Sequence, residues 1–182
     1  MPNYDQKHLE ILEKLRGKTV GAFIDDANLF YIQKKIGWKI DWLKVKNYLE
    51  KYFNIVFIRY YMGMPFSGES RFNNEKIKKG LEQIGFKVIT KPLKKIYLDD
   101  RKEEFKNKCN CDVEIVFDIA RNIDIIDIVI VMSGDSDFLE AKSFCLERKK
   151  SFLIMCFEKR APWEFRRIHH IFFEDIQDFI KK

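Results

Sequence analysis

The chain has 182 residues, 46% hydrophobic and 15% aromatic, which is too apolar for a disordered tail and long enough to bury a core without disulfide or zinc staples. Its uncharged apolar runs, such as Ile128 to Met132, are far too short to span a bilayer, and the first eighteen residues carry charges where a signal peptide would be apolar. Four cysteines (Cys109, Cys111, Cys145, Cys156) are a poor basis for a disulfide scaffold, so a single soluble, cytoplasmic domain over 1–182 is expected, with an N-terminal helix in 1–17 and a core over 18–180.

The net charge of +6 hides a segregation. From Arg71 to Lys108 there are twelve basic and six acidic residues; from Cys109 to Glu140 there are eight acidic and one basic. The plainer account is solvated helix faces. The sharper one is a polyanion-binding surface beside a carboxylate cluster that holds metal.

In chain order, Leu9, Leu12 and Leu15 with Ile11 form a stripe at helical spacing, and Val20 to Ile24 is a strand apolar on both faces. Asp41 is expected to cap a helix over Asp41 to Lys51, and Val56 to Tyr61 is the second strand. The stretch MGMPFSGES is expected as a loop, Asn73 to Ile84 as a helix stopped by Gly85, and Phe86 to Thr90 as a short strand. Lys91 to Cys109 is expected as a hairpin or flexible loop. A helix over Asp112 to Asn122, a strong strand over Ile128 to Met132, a helix over Asp137 to Lys149, and strands at Phe152 to Cys156 and Ile171 to Phe173 complete an α/β pattern with a mainly parallel sheet.

Several motifs fail. Gly17-Lys18-Thr19 echoes a P-loop, but Leu12 stands where the first glycine belongs and the strand comes after the motif instead of before it. No G-x-G-x-x-G occurs. Asp135 and Asp137 open like a calcium loop, yet its twelfth position is Leu146. Cys109 and Cys111 lack a partner pair at zinc spacing, so two ordinary thiols are expected there.

One constellation survives. Asp25, Asp26 and Asn28 come directly after the first strand, and Ser133, Gly134, Asp135, Ser136 and Asp137 directly after the strand Ile128 to Met132. Ligands of open parallel sheets bind outside the carboxyl ends of the strands, where strand order reverses. Asp112, at a helix start, can lean over the same edge. Clustered carboxylates repel unless a cation sits among them, and an all-oxygen ligand set favours magnesium or manganese. The bland alternative is that each Asp caps a helix or turn.

The strings themselves are also familiar. GAFIDDANLF resembles the opening I-D-x-x-N of the NYN (LabA-like) branch of the PIN-like nuclease superfamily, VIVMSGDSDF resembles its S-G-D-S-D-F signature, and KCNCDVEIVFDI its middle K-x-x-x-D motif. The match spans about Lys18 to Phe179. The resemblance implies a three-layer α/β/α PIN-like fold and a divalent-metal ribonuclease site. In it, Asp25, Asp112, Asp135 and Asp137 are the catalytic, metal-holding acids and Asn28, Ser133 and Ser136 supporting groups. Asp118 matches a second middle-motif Asp, though it lies about 120° around an ideal helix from Asp112. Asp26 replaces a usual small residue, Cys109 to Cys111 replace a glycine-containing turn, and Arg148 or Lys149 stands where Gly is common.

RNA is the expected partner, with Lys76, Lys78, Lys79, Lys94, Lys95, Arg101 and Lys102 as phosphate contacts and Phe72 or Tyr97 as stacking groups. The leading expectation is a metal-dependent endoribonuclease. The rivals are a catalytically weak or inactive RNA-binding adaptor and a phosphohydrolase of small esters, the last needing no broad basic platform.

Overall fold

A computed structural model describes residues 4–97 and 105–182. Six strands form one parallel sheet: β1 (Thr19–Asp25), β2 (Asn54–Met64), β3 (Lys87–Pro92), and, after a separate hairpin of β4 (Lys94–Tyr97) and β5 (Phe105–Lys108), β6 (Ile128–Met132), β7 (Ser151–Cys156) and β8 (His170–Phe172). The spatial order is β3-β2-β1-β6-β7-β8, so the chain grows outward from β1 in one direction and then restarts at β6 on its other side. That reversal puts the switch point between β1 and β6.

Strand period builds the two cores. Val20, Ala22 and Ile24 of β1, with Ile128, Ile130 and Met132 of β6, point to one face, while Phe23, Val129 and Val131 point to the other. The first face packs against α1 (Tyr4–Lys14), α2 (Asp26–Ile36), α3 (Trp42–Glu50), α4 (Gly68–Gln83) and α7 (Gln177–Ile180) through Leu12, Leu29, Ile32, Leu49, Leu81 and Ile180. The second packs against α5 (Asp112–Asn122) and α6 (Phe138–Glu147) through Ile115, Ile119, Phe138 and Cys145. Each such side chain contributes roughly 1.5–3 kcal/mol of transfer free energy. The expected α/β/α layering therefore holds, because both faces of every central strand are apolar. Gly21 permits a close approach: a Cβ there would fall 2.6 Å from the Phe57 ring.

Three expectations shift. A helix, α2, occupies Asp26–Ile36, where the sequence pattern assigns none; only Leu29 and Ile32 of it are buried, a stripe too thin to stand out. β2 runs on through Met62-Gly63-Met64 because those residues pair with Thr90, Lys91 and Pro92 of β3, so the loop shrinks and α4 starts at Gly68 rather than Asn73. The described residues of the Lys91 to Cys109 segment form the end of β3 and the paired strands β4 and β5, in which Lys94 lies across from Lys108. Arg101 and Lys102 lie outside the described residues. The missing glycine at the end of α6 is felt in the backbone: Lys149 sits at φ 57°, in the left-handed region that disfavours side chains.

Candidate metal centre

β1 ends at Asp25 and β6 ends at Met132, adjacent and parallel, so the loops leaving the two strands meet at the switch point. Asp25 is 4% exposed and points into that junction. Its Oδ2 accepts a 3.0 Å hydrogen bond from the hydroxyl of the fully buried Ser133, whose Oγ in turn accepts from the Asp135 N–H at 3.2 Å. Asn28 reaches across from the start of α2 and accepts from the Gly134 N–H at 2.8 Å. Asp135 Oδ1 accepts from the Asp137 N–H at 3.0 Å. Two loops more than a hundred residues apart in sequence are thus stitched by side chains of the two motifs.

Asp112, the first residue of α5, completes the cluster. Oxygens of Asp112, Asp135 and Asp137 lie within 4.8 Å of one another. Asp25 stands behind this trio, joined to it through Ser133. The capping alternative fails for Asp25 and Asp137, which occupy N-cap positions of α2 and α6 yet make no side-chain cap bond, whereas Asp135 braces its own turn through the Asp137 N–H. Asp41, by contrast, caps α3 as expected, accepting from Leu43 N and Lys44 N.

The electrostatics fit the crowding. Burial pushes the Asp25 carboxyl up to about 6, opposed by the Ser133 hydrogen bond and reinforced by the charge of Asp112. Asp112 is raised by burial, and further by Asp135 and Asp137, against the Asn110 hydrogen bond. An all-oxygen set at this spacing suits a hard divalent cation, and no ion pair among the described residues neutralises the trio.

Two carboxylates near the site are already satisfied. Asp26 accepts from the buried Tyr60 hydroxyl, and burial raises it. Asp118 is ion-paired with Arg59 and accepts from the Tyr61 hydroxyl; burial acts to raise it, but these two partners prevail and hold it low. The residues that sequence reasoning missed are therefore Arg59, Tyr60 and Tyr61, consecutive on β2, whose side chains alternate between the two faces and serve one acid each way. Strand alternation between an Arg-Tyr pair and a single Tyr was the available signal. Asn110 was also missed: its Oδ1 accepts from the Asp112 N–H at 3.0 Å, fixing the turn that presents Asp112.

Ser136 lies in the same loop, its carbonyl accepting from Leu139 N at 2.9 Å. Of the basic residues, Lys76, Lys78 and Lys79 ride on α4, and Lys94 and Lys95 on β4, elements that leave the same sheet edge as the acids. Lys76 lies 4.4 Å over the exposed Phe72 ring, and Lys78 faces Glu82 at 3.9 Å. Both pairs leave the ammonium groups near solvent. No helix among the described residues is long and apolar enough to cross a membrane.

A family model described as NYN domain matches residues 19–175, a span that takes in all three acidic segments. The chain is 28% identical over 171 residues to the Low amplitude and bright protein LabA of Synechococcus elongatus, covering 92% of this chain and 90% of that protein. The crystal structure of a protein of unknown function from Vibrio parahaemolyticus superimposes with a TM-score of 0.70 at 18% identity, covering 91% of this chain and 97% of that one, a likeness of fold.

Proposed function

This chain belongs to the NYN domain family, and from that premise we propose that it is a metal-dependent endoribonuclease acting through the acidic cluster at the β1–β6 switch point. The observation that carries the proposal is the trio of Asp112, Asp135 and Asp137, drawn from two distant segments to within 4.8 Å with no ion pair of the described residues to neutralise them. Unpaired acids so placed raise the energy of the fold, and a binding-only surface gains nothing from that cost.

Asp112, Asp135 and Asp137 would hold magnesium or manganese, with Asp25 behind them. A divalent ion there supplies neutralisation of the phosphate's charge and lowers the pKa of water. The chain's own residues do the positioning. Ser133 locks Asp25 through Oδ2, and burial favours the protonated carboxyl, so entry of a cation would favour its ionised form. Asn28 and Asp135 fix the Gly134 and Asp137 amides, so the loop keeps one shape while substrate exchanges. Lys76, Lys78, Lys79, Lys94, Lys95, Arg101 and Lys102 would hold the RNA backbone in register through phosphates, a sequence-independent contribution.

The test is cleavage of labelled single- and double-stranded RNA and DNA with manganese, magnesium or EDTA. RNA cleavage that needs the metal and disappears in Asp135→Asn, with RNA affinity equal or slightly higher, is the expected result. Replacing Lys94, Lys95, Arg101 and Lys102 by Glu should weaken binding and lower the log–log salt slope by roughly 0.7–0.9 per lost contact. Affinity without cleavage under every metal condition would instead identify a binding adaptor.

A further inference from the structure

The turn that delivers Asp112 to the cluster has the sequence Cys109-Asn110-Cys111, and its two sulfurs face each other 3.4 Å apart. Two thiols separated by one residue have many rotamers that keep them apart; here both point to the same side. Closing a bond requires S–S of about 2.05 Å, so the sulfurs need approach by only about 1.3 Å. Cys145 and Cys156, by contrast, are fully buried at separate places in the second core.

The surroundings make the pair addressable from one side. Cys109 is partly exposed, whereas Cys111 is 2% exposed, so an incoming reagent meets Cys109 first and Cys111 stands behind it. The turn is also tied down on both flanks. The Lys91 ammonium donates to the Asn110 carbonyl at 2.8 Å, and Cys109 packs on the bare backbone of Gly63, where an added Cβ would fall 3.0 Å from the Cys109 Cβ. On the other flank, the Asn110 side chain accepts from the Asp112 N–H and the Cys111 carbonyl accepts from Ile115 N at 2.9 Å, opening the first turn of α5. With Cys109 held on β2 and Cys111 held in the core, part of the contraction falls on the backbone of the three-residue turn that carries them. Asp112 is the next residue.

We propose that Cys109 and Cys111 form a dithiol modification site that small-molecule disulfides of the oxidised-glutathione type convert to an intramolecular disulfide, and that this closure withdraws Asp112 from Asp135 and Asp137. The chemistry balances without another reagent. Cys109 sulfur attacks one sulfur of the small disulfide, forming a mixed disulfide and releasing one small thiol. Cys111 sulfur then attacks the Cys109 sulfur and releases the second. Two protein thiols are oxidised to one S–S bond, one S–S bond is reduced to two thiols, and each thiol proton ends on a released thiol. The disulfide half of the proposal stands on the geometry of the turn alone; its effect on metal rests on the acidic cluster being the metal site.

The experiment uses the whole chain, reduced or equilibrated with oxidised glutathione, and reads two quantities. The first is the tryptic peptide from Cys109 to Arg121, which contains both cysteines and neither of the others. The expected product is this peptide two hydrogens lighter, without a glutathione adduct and without alkylation. The second is manganese binding followed by the paramagnetic signal of free Mn2+, expected to weaken at least about 10-fold on oxidation, as when a group that orients a metal ligand is lost. Cys109→Ser should abolish both changes while leaving the reduced-state affinity alone, and a second variant, Cys111→Ala, should trap glutathione on Cys109. A peptide that stays reduced, or stops at the adduct, overturns the proposal. A closed disulfide with unchanged manganese affinity overturns its coupling to Asp112. Reduced protein that binds no manganese would overturn the metal centre itself, while the peptide would still decide the disulfide.

Discussion

Asp112 and Asp118 stand six residues apart on α5, are similarly half-buried, and have opposite electrostatic settings. Asp118 faces β2, where Arg59 and Tyr61 satisfy it and hold its carboxyl low. Asp112 faces the sheet edge, where burial and then Asp135 and Asp137 push it up. An acid that the fold has paired is a strut. An acid that the fold has left among its own kind is a candidate cation ligand. The same division separates Asp41, spent on capping α3, from Asp25 and Asp137, which sit at cap positions and do not cap.

Kinetics test the division between strut and binding group most severely. Asp112→Asn and Asp135→Asn should each lower cleavage on the order of 1000-fold, the several kcal/mol that metal-assisted charge stabilisation supplies, and the double variant should be little worse than either. Steady-state rates decide it: additive losses would separate the two residues. Without metal, both variants should melt no lower than the parent, since each removes repulsion.

Next in size is a pH effect. Asp25 is raised from 3.8 to about 6, so the stability its neutral form contributes is complete below about pH 4 and is lost as pH rises through 6. Between pH 4.5 and 7.5 the metal-free protein should lose about 2 kcal/mol relative to Asp25→Asn, the share of two or so pKa units at 1.36 kcal/mol each that falls inside that range. Denaturant titrations at pH 4.5 and 7.5 measure it, and manganese should erase the loss. Parallel curves for parent and variant would mean that Asp25 does not titrate with folding.

Asp118→Asn should show the other behaviour. It strips Arg59 of its ionic partner and should cost roughly 2 kcal/mol, the scale of hydrogen bonds to charged groups, while the manganese-induced rise in melting temperature persists. If that rise vanishes with Asp118, the strut is part of the metal site after all. The smallest effect tests a backbone feature remote from both acids: Lys149→Gly should stabilise by about 0.5–1 kcal/mol by relieving the left-handed residue after α6, with activity unchanged. A drop in melting temperature would mean that the lysine side chain matters more than its φ.

Much of this was legible in the sequence because it is local. The apolar pairs of faces in Val20 to Ile24 and Ile128 to Met132 announce buried parallel strands, and acids placed directly after each announce a shared edge. The bounds of α5, Asp112–Asn122, agree with its spacing. What escaped depends on partners. α2 contributes only two buried residues, so its periodicity is faint. Gly63 and Pro92 look like loop formers, yet β2 and β3 pair through them because the strands outlast their hydrophobic centres. Helical spacing already turns Asp118 about 120° away from Asp112, but the partners that set their roles, Arg59 for one and Asp135 for the other, come from other elements.

The strand order has a consequence in time. β1 leaves the ribosome early, but the neighbour that makes its centre complete is β6, and Ser133 lies 108 residues beyond Asp25. Contacts so distant in sequence form late, after the chain has closed a long loop. During synthesis the first motif is therefore an isolated carboxylate beside a half-built sheet, with neither Asp135 nor Asp137 yet in place. A nascent or truncated chain lacking the last third cannot assemble the cluster. For the activity proposed above, the arrangement withholds RNA cleavage until about three quarters of the chain has been made.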